Sequence, residues 1–190
     1  LFIEAGWITL IGDKIFGFAP GLDAGEYDYG FVSALGGWDG KKIAFIGDGF
    51  SNMTISWMWA AKKLGFELAV AAPADYQPSA AFLAKLDAPN VTVTTEPVVA
   101  AQGAHVINTD VWLSMGQEGQ QEKEEVFGPF QVNADLVARS APDHIVLHCL
   151  PAYRGKEITE ELLEKHAGII FQQAENRLHA QKAILVALAK

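Results

Sequence analysis

The sequence predicts an α/β protein: a three-layer, Rossmann-like parallel sheet with helices on both faces. Two patterns carry that reading. From residue 41 onward, short apolar runs alternate with segments of helical spacing, and the connections between them are short. Strands that alternate with helices pair in parallel, because each crossover helix returns the chain to the same end of the sheet. A third pattern bears on function. Polar clusters at 48–52, 110–116 and 148–154 each begin where an apolar run ends. Ligands of open parallel sheets bind outside the carboxyl ends of the strands, so three such turns can line one crevice.

The elements follow in order. "KIAFIG" (42–47) reads as a buried strand, and "NMTISWMWAAKKLG" (52–65) as a helix stopped by Gly65. "ELAVAAP" (67–73) is a strand closed by Pro73. "SAAFLAKLD" (79–87) is a short helix with Ser79 as N-cap. "VTVTT" (91–95) is a strand, "EPVVAAQG" (96–103) a short helix, and "HVINTD" (105–110) and "HIVLHC" (144–149) are strands. "TEELLEKHAG" (159–168) reads as a capped helix, "IIFQQ" (169–173) as a last strand and "ENRLHAQKAILVALAK" (175–190) as a terminal helix. Residues 1–40 are an atypical segment. Their Gly- and aromatic-rich part, 17–40, has no sustained period and reads as loops with one or two short strands or a short helix. Residues 41–190 form one domain, without repeats, low-complexity tracts or a linker.

Composition excludes several function classes. The chain has 190 residues, 50% hydrophobic and 19% charged, which is globular. A formal net charge of -9 argues against nucleic acid and membrane surfaces as partners, since both attract basic faces. It leaves room for a small anion held by local cations. No apolar run reaches the ~20 residues that span a bilayer. The start lacks a basic n-region and a small-residue cleavage site, so no signal peptide is expected. It also lacks an initiator Met, so a fragment or processed product is expected. With Cys149 the single cysteine, no internal disulfide is possible, and a cytoplasmic setting is expected.

Two turns invite chemistry. "IGDGFSNM" (46–53) joins a strand to a helix N-terminus, where anions are favoured. A dinucleotide fits poorly: the spacing is not GxGxxG, and the second strand ends in Ala-Ala-Pro where an acidic residue should hold a ribose. "HCLPAYRG" (148–155) ends another strand, and Leu150–Pro151 is a candidate cis peptide. A lone strand cysteine is ordinarily a small core residue. Arg154 and Arg177 can each pair with a carboxylate or carbonyl oxygen, or simply form surface salt bridges. None of the five histidines is read as a metal ligand.

"DVWLSMGQE", "HCLPAYRGKEIT" and "AENRLHAQKAIL" together resemble the ornithine-binding half of the ornithine carbamoyltransferase family, and "GDGFSNM" resembles the same family's turn before a signature helix. The resemblance runs from about residue 41 to 190 with the motifs in the family's order. It implies carbamoyl transfer from carbamoyl phosphate to L-ornithine, giving citrulline and phosphate in arginine biosynthesis, with no cofactor or metal and a trimeric homo-oligomer. It implies that Asn52 and Asp110 hold the α-amino group of ornithine, and Ser114 and the backbone of Met115 its polar end. Cys149 and the backbone of Leu150 are implied against the carbamoyl group and the attacking δ-amine, and Arg177 on the carbamoyl oxygen. Asp110, Cys149 and Arg177 are the implied catalytic residues.

The family's Ser-Thr-Arg-Thr and His-Pro-Cys-Gln segments, which bind carbamoyl phosphate, occur nowhere in the 190 residues. The isolated chain is therefore expected to grip an amino acid with little or no turnover. The stripe Ala183, Ile184, Leu185, Val186 and Leu188 is expected to be an apolar strip. Residues 1–40, with Phe2, Ile3, Trp7, Ile8, Leu10, Ile11, Phe16 and Phe18, are expected to cover it or to pair with another copy.

Overall fold

The computed structural model describes residues 9–11, 14–16, 40–112 and 121–188, with side chains at 40–112, 123–176, 178 and 182. Strands β1 (Thr9–Ile11) and β2 (Lys14–Phe16) form an antiparallel hairpin. The main sheet comprises β3 (Lys42–Ile46), β4 (Glu67–Ala71), β5 (Val91–Thr94), β6 (Val106–Thr109) and β7 (Ile145–His148). All its pairs are parallel, in the order β5-β4-β3-β6-β7. The α/β reading therefore holds. The expected packing of the apolar strip under residues 1–40 lies outside the described side chains.

Helix α1 (Asn52–Leu64) forms where its sequence permits. Ser51 caps it by accepting from the Thr54 amide at 3.2 Å. Gly65, at φ 79°, ends it by donating its N–H to Ala61. Helix α2 (Ala80–Leu86) starts from Ser79, whose hydroxyl accepts from Phe82 N. Helices α3 (Pro97–Ala101), α4 (Gln121–Phe127), α5 (Ala134–Val137), α6 (Glu160–Lys165) and α7 (Ala167–Leu188) complete the set. Thr159 sits at the N-cap of α6 but makes no side-chain cap bond.

Alternation along the strands divides the core into two. One face carries Ile43, Phe45, Leu68, Val70, Val106 and Leu147 against Met53, Trp57, Met58 and Ala61 of α1. The other carries Ala44, Ile46, Ala69, Ala71, Ile107 and Val146 against α3, α5 and α6. Trp57 also donates its indole N–H to buried Asn108 at 2.9 Å, so the first helix is keyed to β6.

The strand expected at 169–173 is not formed. Those residues belong to α7, whose first turn begins with Ile169 N and Ile170 N donating to His166 O. A five-residue apolar run reads equally as buried strand or helix. Here the outer edge of β7 is met at Val146 N by the His166 ring, and the run buries Ile170 from a helix instead.

Gly49 is fixed by crowding. A Cβ there would lie 2.7 Å from Ala72 Cβ and 2.9 Å from the Tyr76 carbonyl oxygen. The turn into α1 can pass so close to β4 only without a side chain. Gly49→Ala is expected to lower stability by about 1–3 kcal/mol through overpacking, read as a reduced urea midpoint.

Candidate functional site

The sheet order reverses direction at its centre. From β3 the chain moves outward to β4 and β5, then crosses back to β6 and β7. Helices on either side of such a reversal part at the carboxyl ends of the two central strands and leave a crevice. At its floor the buried Thr109 hydroxyl donates to the Ile46 carbonyl at 2.7 Å, joining the tips of β6 and β3. The turn 47–51 leaves β3 here, and Asp110 leaves β6.

Asp110 and Cys149 meet on one flank of this mouth, at the tips of neighbouring β6 and β7. They are the residues that follow paired Thr109 and His148. The thiol donates to Asp110 Oδ1 at 2.8 Å, and the same oxygen accepts from Val111 N at 2.7 Å. Asp110 is thus held as an acceptor by two donors. Its Oδ2 has no protein partner among the described residues. Asn52 opens α1, exposed, with Oδ1 accepting from Met53 N at 2.9 Å. The side-chain nitrogen is then the end left for a ligand.

Below Cys149 lies a buried pair that sequence reasoning missed. His148 is fully buried and Glu157 nearly so. His148 Nδ1 accepts from Leu150 N at 2.9 Å, so the ring is in its Nε2–H tautomer. Nε2 then donates to Glu157 Oε1 at 3.1 Å. Glu157 Oε1 also accepts from Tyr153 N at 2.6 Å. Two side chains thereby fix the turn that presents Cys149 and Leu150. Leu150 needs the support: its φ is 54°, the left-handed region that a branched residue avoids. The Leu150–Pro151 bond is cis, as the sequence suggested. The signal lay in plain view in "HCLPAYRGKEIT", but a strand-end His and a loop Glu give no sign of pairing until the turn is folded.

Lys123 is the second residue missed. It is 7% exposed, on α4, with Nζ 3.4 Å from Asp48 Oδ2. The ammonium also lies 5.1 Å from the Tyr76 ring centroid and 5.5 Å from that of Phe127. Asp48 Oδ1 accepts from Phe50 N at 3.0 Å, so the same carboxylate shapes the turn before Asn52. Trp112, two residues past Asp110, stacks on Phe127 with centroids 6.0 Å apart. These contacts tie the ends of β3 and β6 to α4.

The sequence-derived set is partly brought together. Asp110, Cys149 and Leu150 share the mouth of the crevice, and Asn52 begins the helix that leaves it. Ser114 and Met115 lie outside the described residues. Arg177 lies on α7, and its side chain is outside them too. Arg154 takes the bland alternative: it is half exposed and pairs with Glu164 at 2.6 Å and Glu160 at 3.7 Å on the surface. Those two carboxylates, with the Glu164 hydrogen bond foremost, raise its proton affinity further above an already high value. Among the described residues, no group of three or more His, Cys, Asp or Glu side chains is placed to hold a metal ion, and no helix is long and apolar enough to cross a membrane.

Residues 39–188 match the family model for the aspartate/ornithine carbamoyltransferase Asp/Orn binding domain. The chain belongs to that family. An ornithine carbamoyltransferase of Akkermansia muciniphila is 60% identical over 155 residues, 81% of this chain and 51% of that protein. The solved ornithine carbamoyltransferase of Pyrococcus furiosus superimposes with a TM-score of 0.75 at 41% identity, over 83% of this chain and 52% of that one. The Thermus thermophilus enzyme gives 0.74 at 37% identity, over 85% and 53%. The chain spans about half the length of these carbamoyltransferase relatives.

Within this Asp/Orn binding domain the His148–Glu157 pair is buried and hydrogen-bonded, so truncating one partner is costly. His148→Leu leaves the buried Glu157 carboxylate without its imidazole donor. Removing one partner of a buried pair costs about 3–5 kcal/mol, and chemical denaturation of the variant is expected to show a loss of that order.

Proposed function

We propose that this chain forms the L-ornithine-binding half of an ornithine carbamoyltransferase site. The observation that carries the reading is the Cys149–Asp110 hydrogen bond at the strand-order reversal. It brings the "DVW" and "HCLP" motifs, far apart in sequence, to one mouth. The relatives bearing these motifs are named ornithine carbamoyltransferases.

The roles follow from the chemistry of the groups. Asp110 and Asn52 take the α-amino group of ornithine, one as charged acceptor and the other as a polar companion. Ser114 and the Met115 backbone take the polar end of the amino acid. Cys149 and the Leu150 backbone flank the δ-amine and the carbamoyl group of carbamoyl phosphate. The δ-amine titrates near 10.4, like lysine, and must lose a proton before it attacks. It then adds to the carbonyl carbon. A C–N bond forms, the carbonyl electron pair moves to oxygen, and Arg177 stabilises that oxyanion. Collapse breaks the C–O bond to phosphate, and the nitrogen gives up a proton. Citrulline and phosphate leave. No metal or organic cofactor enters these steps.

The domain works in a trimer whose sites sit at subunit contacts. The chain spans about half the length of its relatives, and amino-acid binding without turnover is the second reading. Positioning of the phosphate substrate supplies ~7–11 kcal/mol of such a barrier. Citrulline formation from carbamoyl phosphate separates the two readings.

Calorimetry with L-ornithine tests the shared core of both. A charge-assisted hydrogen bond contributes about 1.5–3 kcal/mol, so Asp110→Ala is expected to weaken ornithine ~10- to 100-fold with the circular dichroism spectrum unchanged. An unaltered Kd removes Asp110 from the site.

A further inference from the structure

His144 and His166 lie on the far side of the domain from the crevice, at the amino end of β7, and nothing in the proposed carbamoyl transfer uses them. Their rings pack with centroids 5.8 Å apart and planes tilted by 41°. Each has a buried Nε2 without a hydrogen-bond partner. Their other nitrogens are engaged, and in opposite senses. His144 Nδ1 lies 2.8 Å from the Ala141 carbonyl, so it donates, and its Nε2 carries a lone pair. His166 Nδ1 accepts from Val146 N at 3.4 Å, so its Nε2 carries the hydrogen. Among the described residues, one ring thus buries an unpaired acceptor and the other an unpaired donor, and neither buried atom carries a charge while both rings are neutral. The same assignment excludes shared metal ligation through Nε2, because His166 has no lone pair there.

His166 is also a joint in the chain. Its N–H closes α6 on Leu162 O, and its carbonyl accepts from Ile169 N and Ile170 N to start α7. Its ring meets Val146 N on the outer edge of β7, which among the described residues has β6 as its one strand partner, on the other side. One residue thus ends one helix, begins the next and covers a sheet edge that would otherwise be bare.

The geometry points to a proton-operated latch: the neutral His144–His166 pair holds the α6–α7 joint against the β7 edge, and protonation of His166 releases it. A proton on Nδ1 removes the acceptor that Val146 N uses. It also sets a cation beside its surroundings. The titratable groups that oppose a proton on His166 are Lys165, on α6, and His144, leading into β7, which would repel it once His144 itself carried a charge. Exposed Asp143 adjoins His144 in sequence, and His105, at the start of β6, has its Nδ1 engaged by Lys42 N. Burial, then His144, then Lys165 lower the proton affinity of His166 from 6.5 to about 4.

The sign follows. A folded pKa below the unfolded one means that the opened form takes up the proton more readily. The latch is fully closed above pH 6.5 and is progressively lost as pH falls from 6.5 toward 4.

Amide hydrogen exchange of the full chain, corrected for intrinsic rates, tests this. Between pH 7.5 and 5, opening at Val146 and at residues 167–170 is expected to increase on the order of tenfold, after allowance for screening of a partly exposed ring. In His166→Asn, which keeps an acceptor near Nδ1 but takes no proton, that increase is expected to vanish. An equal acid response in both proteins overturns the latch. Should the variant fail to fold, long-range proton–nitrogen spectra of the wild type decide alone. Neutral His166 carrying its hydrogen on Nε2, still uncharged at pH 6, supports the latch. A hydrogen on Nδ1, or titration near the ordinary histidine value, overturns it. The outcome is independent of the ornithine reading.

Discussion

One change of direction in the sheet organises everything else. Because β4 and β5 lie to one side of β3 while β6 and β7 lie to the other, the central strands cannot both be covered at their carboxyl ends. The opening is set by topology and costs the core nothing. What the sequence then supplies is a set of short turns, each adapted to a tight space: glycine where α1 leaves β3 beside β4, a thiol facing a carboxylate where β6 and β7 end.

The turn after β7 shows how such a site is kept in shape. Leu150 in the left-handed region is unfavourable by itself. The conformation persists because the backbone amides of Leu150 and Tyr153 are both taken up by a buried His–Glu unit. Glu157 also belongs to the fold beyond the site, since its carbonyl accepts from Val132 N. The turn is therefore anchored in the second core cluster, through Val132 and Ile158. Lys123 ties the turn after β3 to α4, its ammonium set beside Asp48 and the rings of Tyr76 and Phe127.

Much of this was legible in the sequence. Short apolar runs and helical patterns gave every strand of the main sheet and the order of helices through residue 110, because burial of a parallel sheet imposes continuous apolar runs. Asp110 and Cys149 were identifiable from their motifs, and register alone brings them side by side. The exceptions have physical causes. "IIFQQ" is too short to declare its period, and the environment of the β7 edge decided for helix. Helix α4 is short and mostly polar, and α5 has only four residues, so neither shows a stripe that stands out in the sequence. His148, Glu157 and Lys123 belong to pairs separated by 9 to 75 residues in the chain, and pairings of that kind emerge only in three dimensions. Arg154 matched its motif yet lies in a surface ion pair, since a guanidinium on an exposed loop finds nearby carboxylates easily.

The opposite border of the sheet has a bearing on solubility. Strand β5 is only four residues long and alternates Val91 and Val93 with Thr92 and Thr94. Its flank away from β4 carries unpaired backbone groups, as any terminal strand does. A stretch so brief and so rich in hydroxyls offers a neighbouring molecule little to zip onto. On this border, brevity by itself limits edge-to-edge pairing.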